Sequence, residues 1–410
     1  MSPSMPLSLP HTHLSIKIKQ TLGALCMVPT LGVNVYLKFK DQLWSSINHH
    51  LSRREQETMT TSFGASKEIA LDDVTGWRAL ETSLLALIAI AEGCGPELEV
   101  DEEWISKTVT IASQHQNRYV REASMNMAGV LAERCPGVEM DCLAPVVAAG
   151  LADPWPQVVY AASKATRNLL LVKANTAREA LFPLLLPRLC LSRYFVPEGV
   201  QVLSQDTWVA LFGEAGGRQA VAQHVAEVVQ YYCQALGDVR NHFNRIASCY
   251  AIKELVGKVE LSAVLPYASQ LIDAVMPCLD DAHWEVRSAS CTAMAQLVES
   301  FSSHVEARTE DIMRLCLMGL EDESWSIRED SAMTLASMAR NLSTKKAIAD
   351  LLLQRLRNTI HKAKLQPSQT KDEQTRLFND PRTHTGRATF GCCGGLVHQH
   401  GQEHCNKRER

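Results

Sequence analysis

Near the C-terminal end, Cys392, Cys393, His398, His400, His404 and Cys405 gather thiols and imidazoles within 14 residues. Soft thiolates and imidazoles at that density could furnish four tetrahedral ligands to Zn²⁺. The spacing matches no paired C-x₂-C ribbon, however, and adjacent cysteines ligate one ion awkwardly. The expectation is therefore a tail that contains Cys and His without a bound metal, a metal-dependent protein being the alternative that this cluster keeps open. No stretch has the glycine spacing that cradles a phosphate or dinucleotide, and neither H-E-x-x-H nor G-x-S-x-G occurs. No enzymatic activity and no cofactor are expected.

Composition narrows the partners. In 410 residues, 41 Lys and Arg face 45 Asp and Glu, for a net charge of -4. A protein built to coat nucleic acid would be basic, so that partner is not expected. Aromatic residues are only 6%, which argues against an all-β chain. Thirteen cysteines, an odd number with no even framework, suit a reducing compartment, the cytoplasm or nucleus. The uncharged run Gln20–Leu37 borders on a membrane-span length. Its Gln20, Gly23, Pro29, Gly32 and Asn34 oppose insertion, so no membrane is expected, and residues 20–37 stay a weak candidate for targeting.

What could position functional side chains is a repeat. Residues 245–256, RIASCYAIKELV, align without gaps to 287–298, RSASCTAMAQLV, with seven of twelve positions identical. Extending that register gives about seven units, referenced to Ala79, Val120, Val158, Val200, Asn244, Val286 and Ile327, at steps of 38 to 44 residues. Four residues on stand Ser83, Ser124, Ala162, Ser204, Ser248, Ser290 and Ser331; eleven on stand Ile90, Leu131, Leu169, Leu211, Leu255, Leu297 and Met338. Offsets 0, 4, 7 and 11 share one face of a helix, where small residues admit a close neighbour and the large one fills the core. Upstream of most units lies a second apolar segment, several with Pro near its start, such as Pro145, Pro183 and Pro266. Short acidic turns at Asp153, Asp280-Asp281 and Glu321-Asp322 join the two.

This pattern resembles the HEAT repeat family, kin of the armadillo repeats. The likeness is carried by Asp280…Val286-Arg287-x-x-Ser290 and Glu321…Ile327-Arg328-x-x-Ser331, with Asp238…Arg245 and Val120-Arg121 in support. It implies an all-α, right-handed α-solenoid of about seven helix pairs. The expected divisions are 1–65 leader and linker, 66–342 repeat array, 343–362 capping helix and 363–410 a disordered tail that adds nothing to stability. The units at Ala79, Val158 and Val200 carry Leu80, Val159 and Gln201 where the others have Arg, which marks them as irregular. The resemblance also implies that Arg121, Arg245, Arg287 and Arg328 pair with turn acids, among them Asp238, Asp280 and Glu321, rather than with a ligand. An iron enzyme known on such repeats uses His-Glu pairs; this sequence has no His-Glu dipeptide.

A protein partner remains. Offsets near +2, +6 and +9 point away from the core face and place Tyr160, Lys164 and Arg167 on the third unit, and Ile246, Tyr250 and Lys253 on the fifth. Aromatic-plus-cation patches of this kind anchor partners. Trp77, Trp284 and Trp325, each two residues before a reference position, are expected to wedge between units. The function that follows is a non-enzymatic scaffold or adaptor binding a protein segment on the concave face. A transport-receptor or chaperone-like role would use the same surface.

Overall fold

The alternation of apolar segments and acidic turns becomes a series of paired helices. The computed structural model describes residues 77–364 apart from 99–101, 136–139, 173–174, 198, 214–215 and 344, with four isolated positions before residue 46. The leader and the Cys/His tail, including Cys392, Cys393, His398, His400, His404 and Cys405, lie outside the described residues. Among those described there is no strand, and no helix is long and apolar enough to cross a membrane.

In chain order the helices are α1 (Trp77–Cys94), α2 (Glu102–Ser113), α3 (Arg118–Arg134), α4 (Met140–Gly150), α5 (Pro156–Val172), α6 (Asn175–Ser192) and α7 (Val200–Phe212). They continue with α8 (Arg218–Gln223), α9 (Val225–Leu236), α10 (His242–Lys258), α11 (Leu261–Val264), α12 (Ala268–Val275) and α13 (Trp284–Ser300). The series closes with α14 (Ser302–Val305), α15 (Thr309–Gly319), α16 (Trp325–Asn341) and α17 (Lys345–Lys364). Two compact units result: residues up to Leu189 with Val202–Leu211, and Cys190–Gln201 with Phe212 onward. Within the first, the second helices of the repeats pack in series, α1 on α3 on α5; within the other, α10 packs on α13 and α13 on α16.

The repeat face is the core. Val120, Ser124, Met127 and Leu131 of α3 are fully buried, as are Val286, Ser290, Ala293 and Leu297 of α13. Small residues stand there because backbones come close. A Cβ on Gly319, at the end of α15, would lie 2.2 Å from the Ser331 hydroxyl of α16. One on Gly150, at the end of α4, would lie 3.1 Å from the Ala162 Cβ of α5 and 2.4 Å from the Met125 sulfur. The prolines depart from expectation. Pro266 falls in a 3₁₀ turn before α12, but Pro145, Pro183 and Pro187 lie inside α4 and α6. Those two helices begin upstream of the apolar runs that mark them in the sequence.

Candidate functional site

The turn acids and the recurrent Arg form a ladder of shared construction. Arg121 gives Nε and Nη2 to the Asp153 carboxylate at 2.7 and 3.1 Å. Arg245 does the same to Asp281 at 2.8 and 3.1 Å, and Arg287 reaches Asp322 through Nε at 2.8 Å. In each case Nη1 turns back to the carbonyls of the preceding turn: His115 and Gln116, Asp238, and Asp281 with Ala282. Each guanidinium thus ties its own turn to that of the next repeat, a task suited to its planar fork of donors. The Asp is doubly used, since Asp153, Asp281 and Asp322 also accept from the backbone N–H two residues on, at 2.8, 2.8 and 2.9 Å. Burial alone would raise the Asp281 pKa. The hydrogen bonds from Arg245 and the His283 N–H outweigh it and hold the carboxyl below its ordinary range.

The partners differ by one residue from those the resemblance implies. Asp281 and Asp322 take the Arg side chains where Asp280 and Glu321 were expected. Asp238 contributes its carbonyl to Arg245, and its carboxylate caps the Arg240 N–H at 3.1 Å. The local Asp turn decides the choice, because it fixes which carboxylate faces back along the array.

The sequence-predicted surface residues are brought together only in part. In α5, Tyr160 is 40% exposed and the Lys164 ammonium sits 5.4 Å from its ring centroid. Arg167 is half-buried and donates to the Thr207 hydroxyl of α7 at 3.4 Å. In α10, Lys253 is exposed and Tyr250 half-buried, its ring 6.3 Å from that of Tyr194. Burial, then the charge of Asp330, raises the Tyr250 pKa. Asp330 accepts from the Ser288 hydroxyl at 2.5 Å, so α10, α13 and α16 share a polar face. Ile246 is a correction. It is only 4% exposed and belongs to the core, because all six residues Asn244–Cys249 are buried and that stretch of α10 has no solvent side.

A second correction concerns the tryptophans. Trp77 is buried and stacks on Tyr119 at 5.6 Å, as a wedge would. Trp284 and Trp325 are 50% and 65% exposed. Two residues before the reference position is about 200° around a helix, away from the core face, so the helical wheel already held that signal. Sequence reasoning also missed Arg118, whose guanidinium lies 4.9 Å from the Tyr119 ring and 4.3 Å from that of Trp155. Among the described residues no group of three or more His, Cys, Asp or Glu is placed to hold a metal.

Comparison with known proteins addresses the repeat itself. The HEAT repeat family matches residues 271–301, which run from α12 through α13. The chain carries a HEAT repeat. The paired helices and Arg–Asp joints of that matched segment recur elsewhere among the described residues. No curated protein matches it. Among solved structures, it is similar to a chain of the Kap95:Nup1 complex, at 14% identity and a TM-score of 0.38, covering 81% of this chain and 39% of that one. Importin beta matches at 13% identity and a TM-score of 0.37, covering 79% and 39%. An engineered protein matches at 13% identity and 0.37, covering 90% and 82%. The chain thus spans about 39% of the length of the first two.

Proposed function

We propose that this HEAT-repeat chain is a non-enzymatic scaffold or adaptor that binds protein partners through aromatic side chains exposed at its second helices. The observation that carries the reading is the pair Trp284 and Trp325. They open α13 and α16, helices that pack on each other, and half or more of each side chain faces water. Neighbouring helix axes in such packing lie about 8–10 Å apart, which supports reading the two rings as one contact patch. Exposed tryptophans in register are a large apolar area left without an internal partner, and Trp is enriched among the residues that dominate binding energy. Tyr160 with Lys164 in the first unit, and Tyr250 with Lys253 in the second, are the further contacts proposed; Ile246 is withdrawn from the set.

The buried thiols accord with a reducing setting such as the cytoplasm or nucleus. Cys190 and Cys291 are both pushed up to about 12, chiefly by burial, which keeps them protonated and unreactive. The test is affinity purification with mass spectrometry on the full chain, on W284A/W325A and on Y160A/K164A. A stoichiometric protein partner that survives in none or only one of the variants, while all three unfold at the same temperature, supports the reading. Retention of every partner by both variants, or turnover of a substrate without any partner, would overturn it.

A further inference from the structure

A run of rings and guanidinium groups crosses three repeats of the first unit. Arg78 lies 4.5 Å from the Trp77 ring centroid, and Trp77 stacks on Tyr119 at 5.6 Å. Arg118 follows, 4.9 Å from the Tyr119 ring and 4.3 Å from that of Trp155. Local capping sets the run. The Asn117 side chain accepts from the Tyr119 N–H at 2.9 Å and opens α3. Asp153, the rung acid of Arg121, accepts from the Trp155 N–H at 2.8 Å just before α5. Trp77 is buried and anchors the run, whereas Arg78, Tyr119 and Trp155 are exposed.

This surface has cations to spare. Arg118 is half-buried, and its Nη2 donates to the Tyr119 hydroxyl at 3.0 Å. Neither Arg118 nor Arg78 stands in an ion pair among the described residues, and the first turns of α1, α3 and α5 carry no Asp or Glu. Glu81 and Glu122 come about one turn further along α1 and α3. Burial, then the charge of Glu122, raises the Glu81 pKa, and Arg78 opposes both. Arg78 is thereby offset in part, which leaves Arg118 as the principal donor. A guanidinium held against two rings offers the N–H groups at its rim, so an arriving carboxylate meets donors already in place. Two cations with two glutamates a turn away suit discrete carboxylates; a nucleic-acid backbone would call for a longer cationic track.

We propose that the Arg118 run is a second contact surface, fitted to an acidic segment of a protein partner. One carboxylate of the segment accepts from Arg118 and another from Arg78, while its apolar side chains lie on Tyr119 and Trp155. The surface is made of residues other than Trp284 and Trp325 and does not depend on that reading.

Selection of random displayed peptides on the full chain, on R118Q and on R78Q tests it. Peptides rich in Asp and Glu should be enriched on the unaltered chain, and a selected peptide should bind R118Q about ten-fold or more weakly. R78Q should weaken binding less, and affinity should fall as salt rises from about 50 to 500 mM, because exposed charges are screened. Thermal midpoints check that the variants fold; should R118Q unfold, R78Q must weaken binding and the salt series must show the fall. Enrichment of basic or neutral peptides, no enrichment, or equal affinity for a folded R118Q overturns the proposal. So does a single-stranded oligonucleotide that binds more tightly than the acidic peptide, or a concentration-dependent dimer lost in R118Q, since the occupant would then be nucleic acid or a second copy. Binding lost in W284A/W325A but kept in R118Q overturns it too and leaves the tryptophan surface standing. Binding kept in W284A/W325A and lost in R118Q upholds it, whatever becomes of that other surface.

Discussion

In the unit that holds α1, α3 and α5, one rung, Arg121 to Asp153, is followed in the next repeat by Val159, which is fully buried. In the unit that holds α10, α13 and α16, Arg stands at all three equivalent positions, and two completed rungs follow one another. Both units bury the same helical face, so the ladder is not what makes the repeat fold. Apolar burial does that, and Val159 shows that a joint can be packed dry in place of a paired charge. What consecutive rungs add is connection: Arg287 binds the Asp281 carbonyl and the Asp322 carboxylate, so neighbouring turns share one guanidinium.

The largest effect should come from the shared core and be alike in the two units. Leu297→Ala in α13 and Leu169→Ala in α5 each remove a fully buried side chain at the same repeat position. Each should cost about 2–5 kcal/mol through lost transfer energy and the cavity left behind. Denaturant unfolding of the two variants checks it; a negligible loss for either would break the equivalence of the units.

Next come the rungs, where the units should differ. Asp322→Ala strands the Arg287 fork, whose side chain is 20% exposed. The loss should be roughly 2–4 kcal/mol, somewhat below the value for a fully buried pair because water reaches it. Asp153→Ala should cost a similar amount on its own. Combining Asp281→Ala with Asp322→Ala should be non-additive, because Arg287 touches both turns, whereas Asp153→Ala with Asp322→Ala should add. Additivity in both combinations would reduce the ladder to independent pairs.

The helix pairs and their buried face were legible because one period, repeated at Val120, Val158, Asn244, Val286 and Ile327, states both the secondary structure and the register. The joint was legible only to within a residue, since Asp280 and Asp281 have the same chemistry and a local turn chooses between them. Ile246 was misread for a related reason. Its angle on α10 points away from the face, but α10 packs against both α9 and α13, and a helical wheel does not show how many neighbours surround a helix. The exposed tryptophans were misread against their own wheel angle, because a recurrent Trp was weighed by its size.

Acid should act more gently and favour one side of the comparison. The Asp281 carboxyl is held below its ordinary pKa in the folded chain. Its contribution is therefore complete above the unfolded value of about 3.9 and is lost as pH falls through the lower folded value. Between neutral pH and about 5 the rung should contribute unchanged, and below about 4 the stability difference between the unaltered chain and Asp281→Ala should shrink. Urea midpoints for both, measured from pH 7 down to the lowest pH at which the chain stays folded, give the curve. A difference that grows on acidification would mean that the carboxyl is held above its ordinary range instead.

The smallest stability effect is assigned to the most conspicuous side chains. Trp325 leaves 65% of its surface in water, and its neighbours in sequence, Glu323 and Glu329, are exposed as well. Trp325→Ala removes little that folding had buried, so the thermal midpoint should move by no more than about 0.5 kcal/mol allows. Trp77 begins α1 as Trp325 begins α16, yet it is 8% exposed and stacked on Tyr119 at 5.6 Å. Trp77→Ala should therefore cost several-fold more, toward the roughly 3–5 kcal/mol seen when a large aromatic side chain is deleted from a core. The contrast separates two uses of one residue type at one repeat position: wedge in the first unit, contact surface in the second. If Trp325→Ala proved as costly as Trp77→Ala, the exposed ring would be a structural element and the proposed contact surface would lose its anchor.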